Sequence, residues 1–324
     1  MQQLLAGLAI AAPVALGVAV TPASPQGHHV LSFDDPAIVE ASALVVEDGL
    51  FLTTNDSGDT GRVFAVDHSG RTVGVTHWSE DPTDTEALAP AGHGFVWVGD
   101  IGDNDARRSS VELARIPIGR GERTVSPTTY RLTYPDGASD AETLLRDPRT
   151  GHLYIASKNV FGGLLYAVPD PLDPSGDNRM TVVGRVLPVA TDGSFFPDGR
   201  HLVVRNYSTA VVYAWPSLQP VGSFPLPAQQ QGEGIAVADD GKVYVSSEGS
   251  RSPVLEVPLP PKIVAAVAPQ VSASPGTPSP TGDTSTSADP SETEPTSREA
   301  WPWIAGGLLG LVALLVLLRA VRPR

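Results

Sequence analysis

Acids dominate the residues that could do chemistry. Glu40, Glu86, Glu142, Asp192 and Glu233 each open an apolar run, and a second run starts nine to eleven residues after each acid, at Leu50, Phe95, Leu153, Leu202 and Val243. Five residues into the second runs stand Asn55, Asp100, Lys158, Tyr207 and Glu248, with Arg205 close by. Asp56, Asp84, Asp103, Asn104 and Asp140 add further oxygen. Donors of this type select the hard cations Ca²⁺ or Mg²⁺ over transition metals. Five carboxylates drawn onto one axis repel by about 1–4 kcal/mol per pair at surface-like dielectric, so some must be protonated, paired or neutralised by a cation. Two readings follow. Glu40, Glu86, Glu142, Asp192, Glu233, Asn55 and Asp100 form an axial Ca²⁺ site, or Lys158 and Arg205 neutralise the ring while the acids bind backbone amides of the next repeat. Lys158, Arg205, Tyr207 and Glu248 are the further candidates for binding at that mouth.

Other chemistry has less support. The stretches NDSGDTG and GDIGDND look like calcium loops but lack the D-x-[DN]-x-[DN]-G spacing and distal Glu, and turn formation explains their Asp, Asn and Gly content. None of the seven histidines falls at the repeated acidic positions, which speaks against a histidine general base there. Ser57, Ser157 and Ser246 have no histidine in register with them, which speaks against a serine nucleophile. The chain has no cysteine, which excludes disulfides and thiolate chemistry, and its formal net charge of −14 speaks against a nucleic-acid partner.

What positions the acids is a repeat. Between residues 28 and 262 the apolar runs are short, rich in Val, Leu, Tyr and Phe, and separated by Gly, Pro and Asp turns, which predicts strands. Each of five copies carries an acid-led strand, a turn, a second strand and a third (VFAVD, VELARI, LLYAV, VVYAW, VLEV). Fourth strands follow the first four copies at Thr72–Trp78, Thr128–Tyr134, Thr181–Leu187 and Val221–Leu226. The fifth copy has none, and Val30–Phe33, before the first acid, supplies it. Circular closure of this kind protects the edge strands of a β-propeller. The sequence therefore predicts an all-β propeller of five four-stranded blades, strands only. A sixth blade hidden between Ile118 and Asp140 is the runner-up.

The ends read differently. Residues 1–23 carry an apolar run followed by small residues and predict a signal peptide. Residues 265–300 are Pro, Ser, Thr, Gly and acid, a composition that cannot bury enough surface to order itself, and predict a disordered stalk. Residues 301–318 are apolar and long enough, at about 27 Å, for one transmembrane helix. The arginines of residues 319–324 place that tail in the cytoplasm by the positive-inside rule. The expected localisation is the cell membrane, single-pass, with the propeller outside.

NDSG at 55–58, GDIGDN at 99–104 with Arg107 and Arg108 following, YPDG at 134–137 with DAETL at 140–144, and SSEG at 246–249 occur in that order. In this the chain resembles a group of uncharacterised exported bacterial β-propeller proteins, and the match covers nearly all of residues 28–262. The resemblance implies the fold and an exported location. More distantly, the D-x-E-[AG]-[LI] strand openings look like those of calcium-dependent propeller hydrolases of the gluconolactonase and esterase-like phytase types. That likeness implies an axial calcium. Some of those hydrolases also use a channel histidine, which this sequence lacks.

Two functions are then expected. One is a membrane-anchored binding or scaffold module that presents its mouth or blade loops to a cell-wall or extracellular ligand. The alternative is a metal-dependent hydrolase of an ester, lactone or phosphoester. An acidic mouth repels phosphate unless a cation sits in it, so the second reading requires the metal.

Overall fold

The computed structural model describes residues 27–268 apart from 57, 79 and 80. The expected signal peptide, nearly all of the expected stalk, and the expected membrane helix and tail lie outside the described residues. Among the described residues no helix is long and apolar enough to cross a membrane.

Five sheets make up the ring. The first strand, β1 (His28–Ser32), belongs to the last blade. Blade 1 holds β2 (Val45–Glu47), β3 (Leu50–Thr53), β4 (Arg62–Val66) and β5 (Thr72–Trp78). Blade 2 holds β6 (Thr85–Pro90), β7 (Phe95–Asp100) and β8 (Val111–Pro117), then β10 (Thr129–Thr133), after an intervening β9 (Gly121–Val125). Blade 3 has β11 (Ala141–Arg146), β12 (Leu153–Ser157), β13 (Gly163–Ala167) and, after β14 (Asp177–Arg179), β15 (Thr181–Val186). Blade 4 contains β16 (Asp192–Phe195), β17 (His201–Arg205), β18 (Thr209–Ala214) and β19 (Gln219–Pro225). Blade 5 contains β20 (Ile235–Val237), β21 (Val243–Val245) and β22 (Pro253–Val257), and β1 pairs antiparallel with β22. The closure expected from Val30–Phe33 is therefore present, and the innermost strands β2, β6, β11, β16 and β20 touch in a closed ring.

Two features depart from five four-stranded blades of strands only. β9 leaves blade 2 to pair parallel with β5 of blade 1, and β14 leaves blade 3 to pair parallel with β10 of blade 2. Each five-stranded blade thus has its outer edge covered by a segment of the next one, which protects ladder groups that would otherwise be open. The segment suspected of hiding a sixth blade is divided between β9 and β10, so the ring has five.

The second departure is a helix, α1 (Pro261–Val267), with Pro261 at its first turn, where a missing N–H costs nothing. It overlaps the start of the expected stalk. Its Ile263 is 1% exposed and packs over Gly222 of β19, where an added Cβ would lie 3.2 Å from the isoleucine Cγ1. The helix is thus part of the core between blades 4 and 5. Ile263→Ala is expected to cost about 2 kcal/mol of stability, read from urea unfolding. A stalk residue would cost nothing there.

Five apolar cores fill the five interfaces between neighbouring blades. Val45, Leu52 and Val63 of blade 1, for example, pack on Leu88, Val96 and Ile116 of blade 2. Phe51 and Phe64 meet Phe33, Ala236 and Val254 across the closing interface. Because each sheet is buried on both faces, its strands read as nearly continuous apolar runs. The inner ends of the strands cannot join those cores, since they face the axis, and there the sequence is polar.

Candidate functional site

Backbone hydrogen bonds fix which residues are equivalent around the mouth. The amides of Asp56, Gly102, Lys158 and Glu248 donate to the carbonyls of Glu40, Asp84, Asp140 and Gln231 respectively, at 2.9–3.1 Å. These pairs, extended by spacing to Val189 and Tyr207 in blade 4, define an outer ring (Glu40, Asp84, Asp140, Val189, Gln231) and a ring of second-strand ends (Asp56, Gly102, Lys158, Tyr207, Glu248). Two residues further in lies an inner ring of Ser42, Glu86, Glu142, Thr191 and Glu233. Two of its hydroxyls confirm the register by spanning to the next blade. Ser42 donates to Glu86, with its Oγ 2.9 Å from the main-chain oxygen and 2.7 Å from Oε2, and Thr191 Oγ1 donates to the Glu233 carbonyl at 3.1 Å.

This register corrects the placement expected of two acids. Glu86, Glu142 and Glu233 come together on the axis as the spacing predicts. Glu40 stands two residues too early, exposed on the rim, because Ser42 holds its inner position. Asp192 stands one residue too late and is fully buried. Its Oδ2 accepts from the amides of Ile235 (2.8 Å) and Leu44 (3.3 Å), in the two blades beyond it, and its Oδ1 from Gly193 (2.7 Å). Burial raises its pKa well above the usual carboxylate range, against those donors.

Asn55 and Asp100 are used up by the protein. Asn55 accepts from the amides of Val39 and Glu40 and donates to Ala37 and Asp59, while Asp100 accepts from Thr83 and Asp84 and pairs with Arg108 at 2.7 Å. The loops that look like calcium sites are closed in the same way. Asp59 is bidentate on Arg62, and Asp103 caps the amides of Arg107 and Arg108.

A cation is neutralising the far side of the mouth already. Lys158 donates to Glu142 Oε1 and lies 5.5 Å from the Tyr207 ring centroid. Burial disfavours its ammonium, but Glu142 and Tyr207 outweigh that and raise its pKa. Arg205 is fully buried below, its Nη1 donating to the carbonyls of Gly234 (3.0 Å) and Ser246 (3.4 Å), and burial lowers its pKa to about 10.

Further carboxylates gather on the blade 1–2 side. Asp56, Asp84 and Glu86 can each bring one oxygen within 4.8 Å of the others. Gly102 makes the room, for a Cβ there would sit 2.4 Å from the Asp84 carboxyl carbon and 2.8 Å from Glu86 Cγ. Asp84 Oδ1 and Glu142 Oε2 are buried without a hydrogen-bond partner. Burial pushes Asp84 up to about 6, helped by Asp56, and Glu86 up to about 10, helped by Glu142 and Asp56. Burial likewise takes Glu142 to about 9 and Glu248 to about 7, in both cases with repulsion from Glu233 next. The sequence names Asp56 and Asp84 only as neighbouring oxygen. The signal that singles out Asp84 is the D-x-E spacing of Asp84 and Glu86, repeated at Asp140 and Glu142, which sets one acid in each of two rings. None of the seven histidines is at this mouth.

No family model matches this chain, and no curated protein matches its sequence. Among solved structures it is similar to the hydrazine synthase of Kuenenia stuttgartiensis, at 13% identity and a TM-score of 0.39, over 65% of this chain. The chain spans 56% of that longer one. It is also similar to a Thermus thermophilus protein described as a putative oxidoreductase (glucose dehydrogenase), at 12% identity and a TM-score of 0.41, over 72% of this chain and 100% of the other.

Proposed function

We propose that this protein is a membrane-anchored, extracytoplasmic binding module whose axial mouth takes a hard divalent cation, Ca²⁺ by preference. The observation that carries the reading is the space beside Gly102, bordered by the carboxylates of Asp84 and Glu86, where Asp84 Oδ1 is buried without a hydrogen-bond partner and an Asp56 oxygen comes within 4.8 Å of both. All-oxygen donors in a flexible rim suit Ca²⁺, which accepts six to eight ligands, better than Mg²⁺, which demands a near-ideal octahedron. Asp56, Asp84 and Glu86 would hold the ion, which would supply the positive charge that buried carboxylates otherwise obtain from protons.

Hydrolysis finds less support here. A bound cation would polarise a carbonyl or phosphoryl oxygen, but the mouth presents no histidine to move the proton. The test is calorimetric titration of the full-length protein with CaCl₂ at neutral pH. One site per chain is expected, lost in Asp84→Asn and in Gly102→Ala, whose methyl group fills the space between the carboxylates. Absence of binding heat in the parent overturns the reading, and so does an undiminished site in both variants.

A further inference from the structure

The mouth has a second character that a cation does not use. Its acids are confined to blades 5, 1, 2 and 3, whereas blade 4 contributes only Val189, Thr191 and Tyr207 to the three rings. Next to that neutral sector, the loop between β12 and β13 holds Val160 and Phe161, 66% and 93% exposed, and Tyr207 is 40% exposed. Phe161 and Tyr207 are the two aromatic rings among the strongly exposed large apolar residues of the described chain. Val189, set between them in the ring order, has φ of +55°, a conformation that a β-branched residue adopts only when its surroundings impose it. The Val189 amide donates to the Asn159 carbonyl, which ties this residue to the loop that carries Phe161.

Apolar rings at the edge of a charged mouth are costly to expose and mark contact surfaces. The charge decides what kind. Exposed Glu40 of blade 1 and half-buried Glu248 of blade 5 form the adjoining acidic part of the rim. That rim repels nucleic acid and anionic lipid, and a neutral glycan gains nothing from it. A basic protein segment gains from both halves.

We propose that this face docks a basic segment of a protein partner, with a lysine or arginine head group on Glu40 and Glu248 and a nearby apolar side chain on Phe161 and Tyr207. The proposal names the partner class for the binding module inferred above. It does not require the cation, since Glu40, Glu248, Phe161 and Tyr207 lie outside the Asp56, Asp84 and Glu86 set. Association is steered by the acidic rim and slows as salt rises, while the aromatic pair sets the dissociation rate.

The test is surface plasmon resonance on the full-length protein with nine-residue peptides of glycine and serine. Each carries one lysine and one tryptophan zero to four residues apart, and the controls carry glutamate for lysine or alanine for tryptophan. At least one lysine–tryptophan spacing is expected to bind tenfold or more tighter than both of its controls. Phe161→Ser, at a fully exposed loop position, is expected to lose that tenfold. Glu40→Gln with Glu248→Gln is expected to slow association and flatten its salt dependence. Equal binding of all peptides, or an unchanged Phe161→Ser, overturns the proposal. So does sedimentation showing a dimer that Phe161→Ser dissociates, since a second copy would then cover the face. Each peptide is measured with CaCl₂ and with chelator. Peptide binding without calcium binding defeats only the cation reading, and calcium binding without peptide preference defeats only the docking proposal.

Discussion

Arg205→Ala is expected to remove about 3–5 kcal/mol of stability, the usual result of breaking a buried charge arrangement from one side. In a domain of this size that lowers the melting temperature by roughly 6–20 °C. Arg205 has no solvent exposure, and its guanidinium bonds carbonyls of blade 5 from a strand of blade 4. Glu233 and Asp192 favour its ionised form, against burial. Alanine would leave the Gly234 carbonyl without this donor and a long cavity beside two acids. Arg205→Lys keeps the charge but offers one compact ammonium in place of the planar fork, so an intermediate loss is expected. Urea unfolding of parent and both variants, with midpoint and slope fitted separately, is the measurement. If Arg205→Ala unfolds at the parental midpoint, the guanidinium does not hold blades 4 and 5 together.

The propeller was legible because each blade sheet is buried on both faces, which leaves four-to-seven-residue apolar runs at a steady spacing. Second strands begin at Leu50, Phe95, Leu153 and Val243 as expected, and at His201, one residue before Leu202. β9 and β14 were not legible. Their residues, GERTV and DNR, are largely exposed and polar, and they pair in parallel with a neighbouring blade instead of with the strand beside them in sequence. α1 was missed because its only deeply buried side chain is Ile263, too little for a helical period.

The site was half legible for a related reason. Alignment on acidic residues placed Glu86, Glu142, Glu233, Lys158, Tyr207 and Glu248 correctly, but residue type is not register. Blade 1 sets Ser42, and blade 4 Thr191, where the other blades have Glu. An acid lies two residues before Ser42 and one after Thr191, so Glu40 and Asp192 were drawn into a ring they do not join. Asn55 and Asp100 were misplaced because the ring position lies six residues after Leu50 and seven after Phe95, against five after Leu153 and Val243. Only the main-chain bonds of Asp56 and Gly102 separate them from the true ring positions.

Glu86→Gln is expected to reverse its effect on stability with calcium. The folded-state pKa values of Glu86 and Asp84 lie at about 10 and about 6, above their ordinary values of 4.5 and 3.8. The native protein therefore binds more protons than the unfolded chain between the ordinary and the folded value of each group. The associated stability is fully present below the ordinary pKa and is lost as pH rises through the folded one. For one such proton the slope approaches about −1.4 kcal/mol per pH unit. In chelator, then, the parent weakens from pH 5 to pH 8, and Glu86→Gln, neutral throughout and still able to accept from Ser42, melts higher than the parent at pH 8. Calcium selects the ionised acids. At a hundredfold excess over Kd it adds about 2.7 kcal/mol to the parent, roughly 5–11 °C, and nothing to the variant, so the order of melting inverts. A parent indifferent to both chelator and calcium ends the cation reading. If Glu86→Gln melts below the parent in chelator as well, Glu86 is ionised and paired in the native mouth, and Lys158 and Arg205 are all the cation it has.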